Sequence, residues 1–73
     1  MKKYRCSYSF GPGKYTYFVD VLADSESHSR EMASACVREK STFSSNVDSE
    51  RWNVSLLDTG YSGPAKVVDY YKQ

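Results

Sequence analysis

The chain has almost nothing with which to build a metal centre or a thiol–imidazole pair: Cys6 and Cys36 are its two cysteines and His28 its one histidine. Neither cysteine belongs to a CxxC motif or a Cys/His cluster, so the spacing of a zinc site is missing. Excess charge is missing too. Ten Lys plus Arg stand against nine Asp plus Glu, a net charge of +1, so the whole-molecule field neither draws the chain to nucleic acid nor imitates it. No stretch approaches the roughly 20 apolar residues that cross a bilayer, and no membrane partner is expected. Met1-Lys2-Lys3 carries the charge of a signal-peptide start, but Tyr4-Arg5-Cys6-Ser7-Tyr8-Ser9 follows where a continuous apolar segment should stand. A leaderless, cytoplasmic chain is the expectation.

Catalytic spacing is equally thin. Asp20, Asp48, Glu50, Asp58 and Asp69 are scattered without a motif, and Gly11-Pro12-Gly13 joins two strand-like segments instead of opening a helix, so it fails as a phosphate loop. A positioned acid, base or nucleophile needs a cleft, and a chain of 73 residues has little room for one. The composition therefore points to a non-enzymatic protein without cofactor or metal. Residues 1–73 form one domain, and a domain so short buries only about 60 % of the surface its unfolded chain exposes.

What the chain does have is aromatic rings: seven Tyr, three Phe and one Trp. Many alternate along the first 21 residues, as a half-buried strand requires. Tyr4, Cys6, Tyr8 and Phe10 share one face of a first strand, and Lys3, Arg5, Ser7 and Ser9 the other. Tyr15, Tyr17, Val19 and Val21 alternate with Thr16, Phe18, Asp20 and Leu22 in a second. Between them Pro12 presets the second turn position and Gly13 accepts positive φ at the third. If Gly11 and Lys14 close that turn, Phe10 faces Tyr15, Tyr8 faces Tyr17, Cys6 faces Val19 and Tyr4 faces Val21. On the opposite surface Arg5 then faces Asp20, a favourable cross-strand pair.

From residue 23 the period lengthens to about 3.6. Asp24 or Ser25 caps the predicted helix and Glu26 suits its positive end. Ser29, Met32, Ala33, Cys36 and Val37 form its inward stripe, with Ala33 and Ala35 permitting close approach to the sheet. Arg30, Glu31, Ser34, Arg38 and Glu39 are predicted to face solvent. The Ser-rich stretch 41–50 reads as a loop anchored by Phe43 and, more weakly, Val47. Trp52, Val54 and Leu56 then alternate with Arg51, Asn53, Ser55 and Leu57. A Gly/Pro connection leads to "KVVDYY", whose parity stays open because Val67 and Val68 compete for the core.

These elements predict an α+β domain in the order β-β-α-β-β, a mostly antiparallel sheet with one helix on one face. The other face is left open, and function is expected there or in the loops. Tyr4, Tyr8, Tyr15 and Tyr17 read as core or core-edge rings and His28 as a polar residue of the first helical turn. Phe18 either stands free on the open face or packs beneath the 41–49 segment. Tyr61 is either a loop anchor for a partner or a local packing residue. Two binding classes follow: a protein partner, or nucleic acid held by Lys3, Arg5, Phe18, Lys14 and Lys66, against which Asp20 lies on the same face. A weak homodimer through a strand edge is a further possibility. Whether Cys6 and Cys36, both facing the interior, are bonded is left open.

The opening over residues 3–40, a hairpin ending "VDVLADSES" followed by the helix "SREMASACVREK", resembles small proteins encoded by phages and mobile elements, several anti-CRISPR proteins and a phage inhibitor of host RNA polymerase among them. The resemblance implies a stoichiometric inhibitor in a bacterial host's cytoplasm that occludes a functional surface of a larger host protein or ribonucleoprotein complex. Some such proteins mimic DNA with an acidic surface, a pattern from which this near-neutral chain departs. Candidate partner-binding residues are Arg5, Lys14, Phe18, Arg51 and Tyr61, with Arg30 and Arg38 as further cations.

Overall fold

The structure is a computed structural model that describes residues 1–9, 13, 15–40 and 47–73. Strands β1 (Lys2–Ser9) and β2 (Thr16–Ala23) precede helix α1 (Glu26–Lys40), a 3-10 turn at Ser49–Arg51, and strands β3 (Asn53–Asp58) and β4 (Lys66–Lys72). The strands form one antiparallel sheet in the order β3-β1-β2-β4. This is the α+β arrangement and the element order that the sequence predicts. Among the described residues, no helix is long and apolar enough to cross a membrane.

The hairpin forms in the predicted register: Tyr4 opposite Val21, Arg5 opposite Asp20, Cys6 opposite Val19 and Tyr8 opposite Tyr17. Gly13 adopts φ +74°, the left-handed value a third turn position demands of glycine. Phe10 opposite Tyr15, the closure by Gly11 and Lys14, and the Phe43 anchor lie outside the described residues.

Helix α1 is capped by Ser25, whose Oγ accepts the backbone N–H of His28 at 3.2 Å. Arg38 and Lys40 occupy its last turn, beside the partial negative charge of the unpaired carbonyls. Its Ser29, Ala33, Cys36 and Val37 are buried against Tyr4, Cys6, Tyr8, Tyr17, Val19 and Val21 of the sheet. Val47 and Trp52 complete the core, and Val47 is buried as expected.

Three positions on this side depart from the sequence-based expectation. Ser34 is buried, because its Oγ accepts the indole Nε1–H of Trp52 at 2.8 Å; a stripe counted by apolarity passes over such a residue. Ala35 is exposed and plays no part in close packing. Arg30 is half-buried, its Nε donating to the Trp52 carbonyl at 3.4 Å and its guanidinium 3.7 Å from Glu26.

Both edge strands carry a bulge at the same level. The β1–β3 register slips between Lys3 and Tyr4, leaving Leu57 as the extra residue, and the β2–β4 register slips between Asp20 and Val21, leaving Val68. Tyr4 and Val21 face each other across the central pair, so the two slips lie on one line across the sheet. That line also settles the parity of β4: Val67 stands opposite Val21 on the helix side, and beyond the extra Val68 the alternation restarts with Asp69 opposite Asp20. Among the described residues, the large exposed hydrophobic side chains, Leu56, Leu57, Val67 and Val68, are the two doublets at these bulges. Leu56 thus follows Trp52 and Val54 in alternation yet is 55 % exposed.

Candidate binding face

The uncovered face can be read as rows of cross-strand neighbours. The first runs Asp58, Lys3, Leu22, Lys66, the second Ser55, Arg5, Asp20, Asp69, and the third Asn53, Ser7, Phe18, Tyr71. Neighbours within a row are about 4.8 Å apart and successive rows about 7 Å. A cationic and apolar row and an aromatic row therefore flank one that holds two carboxylates.

In the middle row Arg5 donates from Nε to Asp20 Oδ1 at 2.9 Å and from Nη2 to Oδ2 at 3.1 Å. The Asp20 side chain is 7 % exposed and that of Arg5 43 %. The guanidinium therefore roofs a nearly buried carboxylate. The hydrogen bond to Asp20, and then that carboxylate's charge, push the Arg5 pKa up, with a smaller contribution from Asp69. Arg5 is thus committed to its neighbour, and Asp69, exposed at the edge, leaves the middle row with a negative excess.

Phe18 is half-buried because its ring stacks on that of Tyr71, with centroids 5.0 Å apart and planes at 12°. Neither alternative drawn from the sequence included this contact. In the sequence Tyr70 and Tyr71, at the terminus, stand out only as rings with weak packing arguments, because the β4 bulge shifts their parity. The doubled Val67-Val68 was the available clue.

Residues 59–65 pass over the Lys2 end of the sheet. Tyr61 exchanges backbone hydrogen bonds with Met1, at 2.7 Å and 3.1 Å, and its hydroxyl donates to Asp58 Oδ2 at 3.3 Å. Its ring borders a groove of about 300 Å³ together with Lys3, Leu22, Pro64, Lys66 and Val68. Leu22, expected to lie open, is 6 % exposed beneath this roof.

Of the residues singled out from the sequence, Arg5, Phe18 and Tyr61 share this face. Arg51 does not, for its guanidinium lies 5.2 Å from the ring centroid of Tyr8 on the helix side. Lys14 lies outside the described residues. His28 sits in the first turn of α1, as expected. The thiols of Cys6 and Cys36 are both free and buried; Cys6 Sγ donates to the Ser29 carbonyl at 3.7 Å. Burial pushes both thiol pKa values up, which leaves them protonated and weakly nucleophilic. Among the described residues, no group of three or more His, Cys, Asp or Glu side chains is placed to hold a metal ion.

Comparison of the chain with protein-family models, with curated proteins and with solved structures found no match.

Proposed function

We propose that the protein is a non-enzymatic binding module of the phage-inhibitor kind, acting in a bacterial cytoplasm by laying its uncovered sheet face on a larger host protein or ribonucleoprotein complex. Steric occlusion of the surface it covers is its mode of action. The observation that carries this proposal is the order of the three rows. A nucleic-acid strand stacked on Phe18 and Tyr71 would have to cross Asp69 to bring its phosphates to Lys3 and Lys66, and Arg5 between them is already bonded to Asp20. A protein partner can match alternating chemistry row by row, and complementary charges of both signs favour the right partner over wrong ones. The stacked rings supply the rigid aromatic area in which interface energy concentrates.

The bulges support a protein that meets its partner as a monomer. A β-bulge at the outer strand disrupts the regular row of backbone donors and acceptors that edge-to-edge pairing needs, and both β3 and β4 carry one.

The test is affinity capture from bacterial lysate with and without nuclease. A stoichiometric protein partner that survives nuclease supports the proposal. Recovery of nucleic acid, with protein partners lost on digestion, overturns it in favour of a single-strand binder.

A further inference from the structure

The groove under residues 59–65 has a chemistry of its own. Leu22 forms its floor, while Val68, Pro64 and the Tyr61 ring make apolar walls. Val68 lies there two residues after Lys66, where alternation from Lys66 places it, and the bulge then returns Asp69 to the same face in the next row. The charged residues that line the groove are Lys3 and Lys66, both positive. They stand on either side of Leu22 in one row, with backbones about 10 Å apart, two strand spacings. Asp58, opposite Lys3 in the same row, accepts the Thr59 N–H at 2.8 Å and the Tyr61 hydroxyl and stands outside the groove lining.

We propose that this groove docks an extended segment of the partner in which one apolar side chain is flanked, two residues before and two after, by carboxylates. This deepens the protein-binding proposal above and rests on it. Residues i, i+2 and i+4 of an extended chain share one face, with the outer two about 13 Å apart. Lysine stems rooted about 10 Å apart reach that span by splaying outward, each presenting a compact ammonium on a flexible four-carbon chain. The apolar side chain enters between Leu22, Pro64 and Val68, and the carboxylates meet Lys3 and Lys66. Phosphate esters are a poorer fit, because a strand continuing toward the aromatic row meets Asp69.

The experiment is a titration of the ¹⁵N-labelled full chain with the blocked peptide acetyl-Asp-Ser-Leu-Ser-Asp-amide, beside its isostere with both Asp replaced by Asn. The amide signals of Lys3, Leu22, Tyr61, Lys66 and Val68 should move with the acidic peptide. Binding should weaken by about tenfold with the isostere, and by a similar factor in a Lys3→Gln/Lys66→Gln variant, as expected when two charge pairs on a partly desolvated rim are lost. The variant keeps the first two methylenes of each stem while removing the charge, and its unchanged spectrum away from the groove checks that it folds. No shift at the groove, or equal binding of the isostere, overturns the proposal. A groove that stays silent while a nuclease-resistant partner is still captured sinks the groove alone. Absence of any nuclease-resistant partner sinks the protein-binding proposal, whatever the peptide does.

Discussion

Arg5 holds Asp20 through two hydrogen bonds of 2.9 Å and 3.1 Å from the neighbouring strand, with the carboxylate nearly buried and the Arg5 side chain half-exposed. The two ends of this pair are therefore not equivalent. Removing the cation strands a charge that has lost most of its solvent, whereas removing the acid leaves a guanidinium that water can solvate. We expect Arg5→Met to lower the melting temperature clearly more than Asp20→Asn. Equal losses in thermal denaturation would contradict this asymmetry.

The Trp52 to Ser34 hydrogen bond joins two buried groups. Ser34→Ala leaves the indole N–H without an acceptor and is expected to cost about 1–3 kcal/mol, the penalty of a buried unsatisfied donor. Trp52 is the one tryptophan of the chain, so urea denaturation followed by its fluorescence reports the loss directly. A change within the few tenths of a kcal/mol usual for surface sites would mean that Ser34 does not serve as the acceptor.

The same residue marks how far the sequence could be read. The hairpin register was legible because two independent constraints agreed: alternation placed Tyr4, Cys6 and Tyr8 opposite Val21, Val19 and Tyr17, and the Pro12-Gly13 turn demanded the same offset. Ser34 was not legible, since a polar residue on a helix looks solvent-facing until its partner from another segment is known. The bulges were hidden for a different reason. A single extra residue breaks period two without altering composition, so Leu56-Leu57 and Val67-Val68 appear only as ambiguous apolar doublets. Tyr71, and with it the Phe18 stack, was lost through that ambiguity.

Alkaline pH should weaken the fold. Burial pushes Cys6 and Cys36 above the ordinary 9.0. Burial, then the charge of Tyr17 and a hydrogen bond with it, raises Tyr70 from 10.0 to about 12. In each case the native state holds its proton more tightly than the unfolded chain, so stability falls as pH rises wherever the unfolded chain has already lost that proton. The Tyr70 contribution is complete below pH 10 and is lost as pH climbs through about 12. Tyr70→Phe should flatten the decline over that range in chemical denaturation measured at stepped pH. An identical slope in the variant would show that another group controls it.

Cys6 and Cys36 are free and buried. A thiol reagent applied to unreduced protein should react slowly with the native state and count two thiols after unfolding. A count of zero would reveal a disulfide and a different packing of the helix on the sheet.

The central claim is that the uncovered sheet face is the binding face, and it is tested most directly by affinity capture from nuclease-treated bacterial lysate with three baits side by side. These are the wild type, Phe18→Ala/Tyr71→Ala on the uncovered face, and Arg51→Ala on the helix side. The partner band should be equal for wild type and Arg51→Ala, and reduced at least about tenfold for the double variant, the scale of an aromatic anchor's truncation. Full capture by the double variant, or loss with Arg51→Ala alone, would contradict the assignment and move the interface to the helix side.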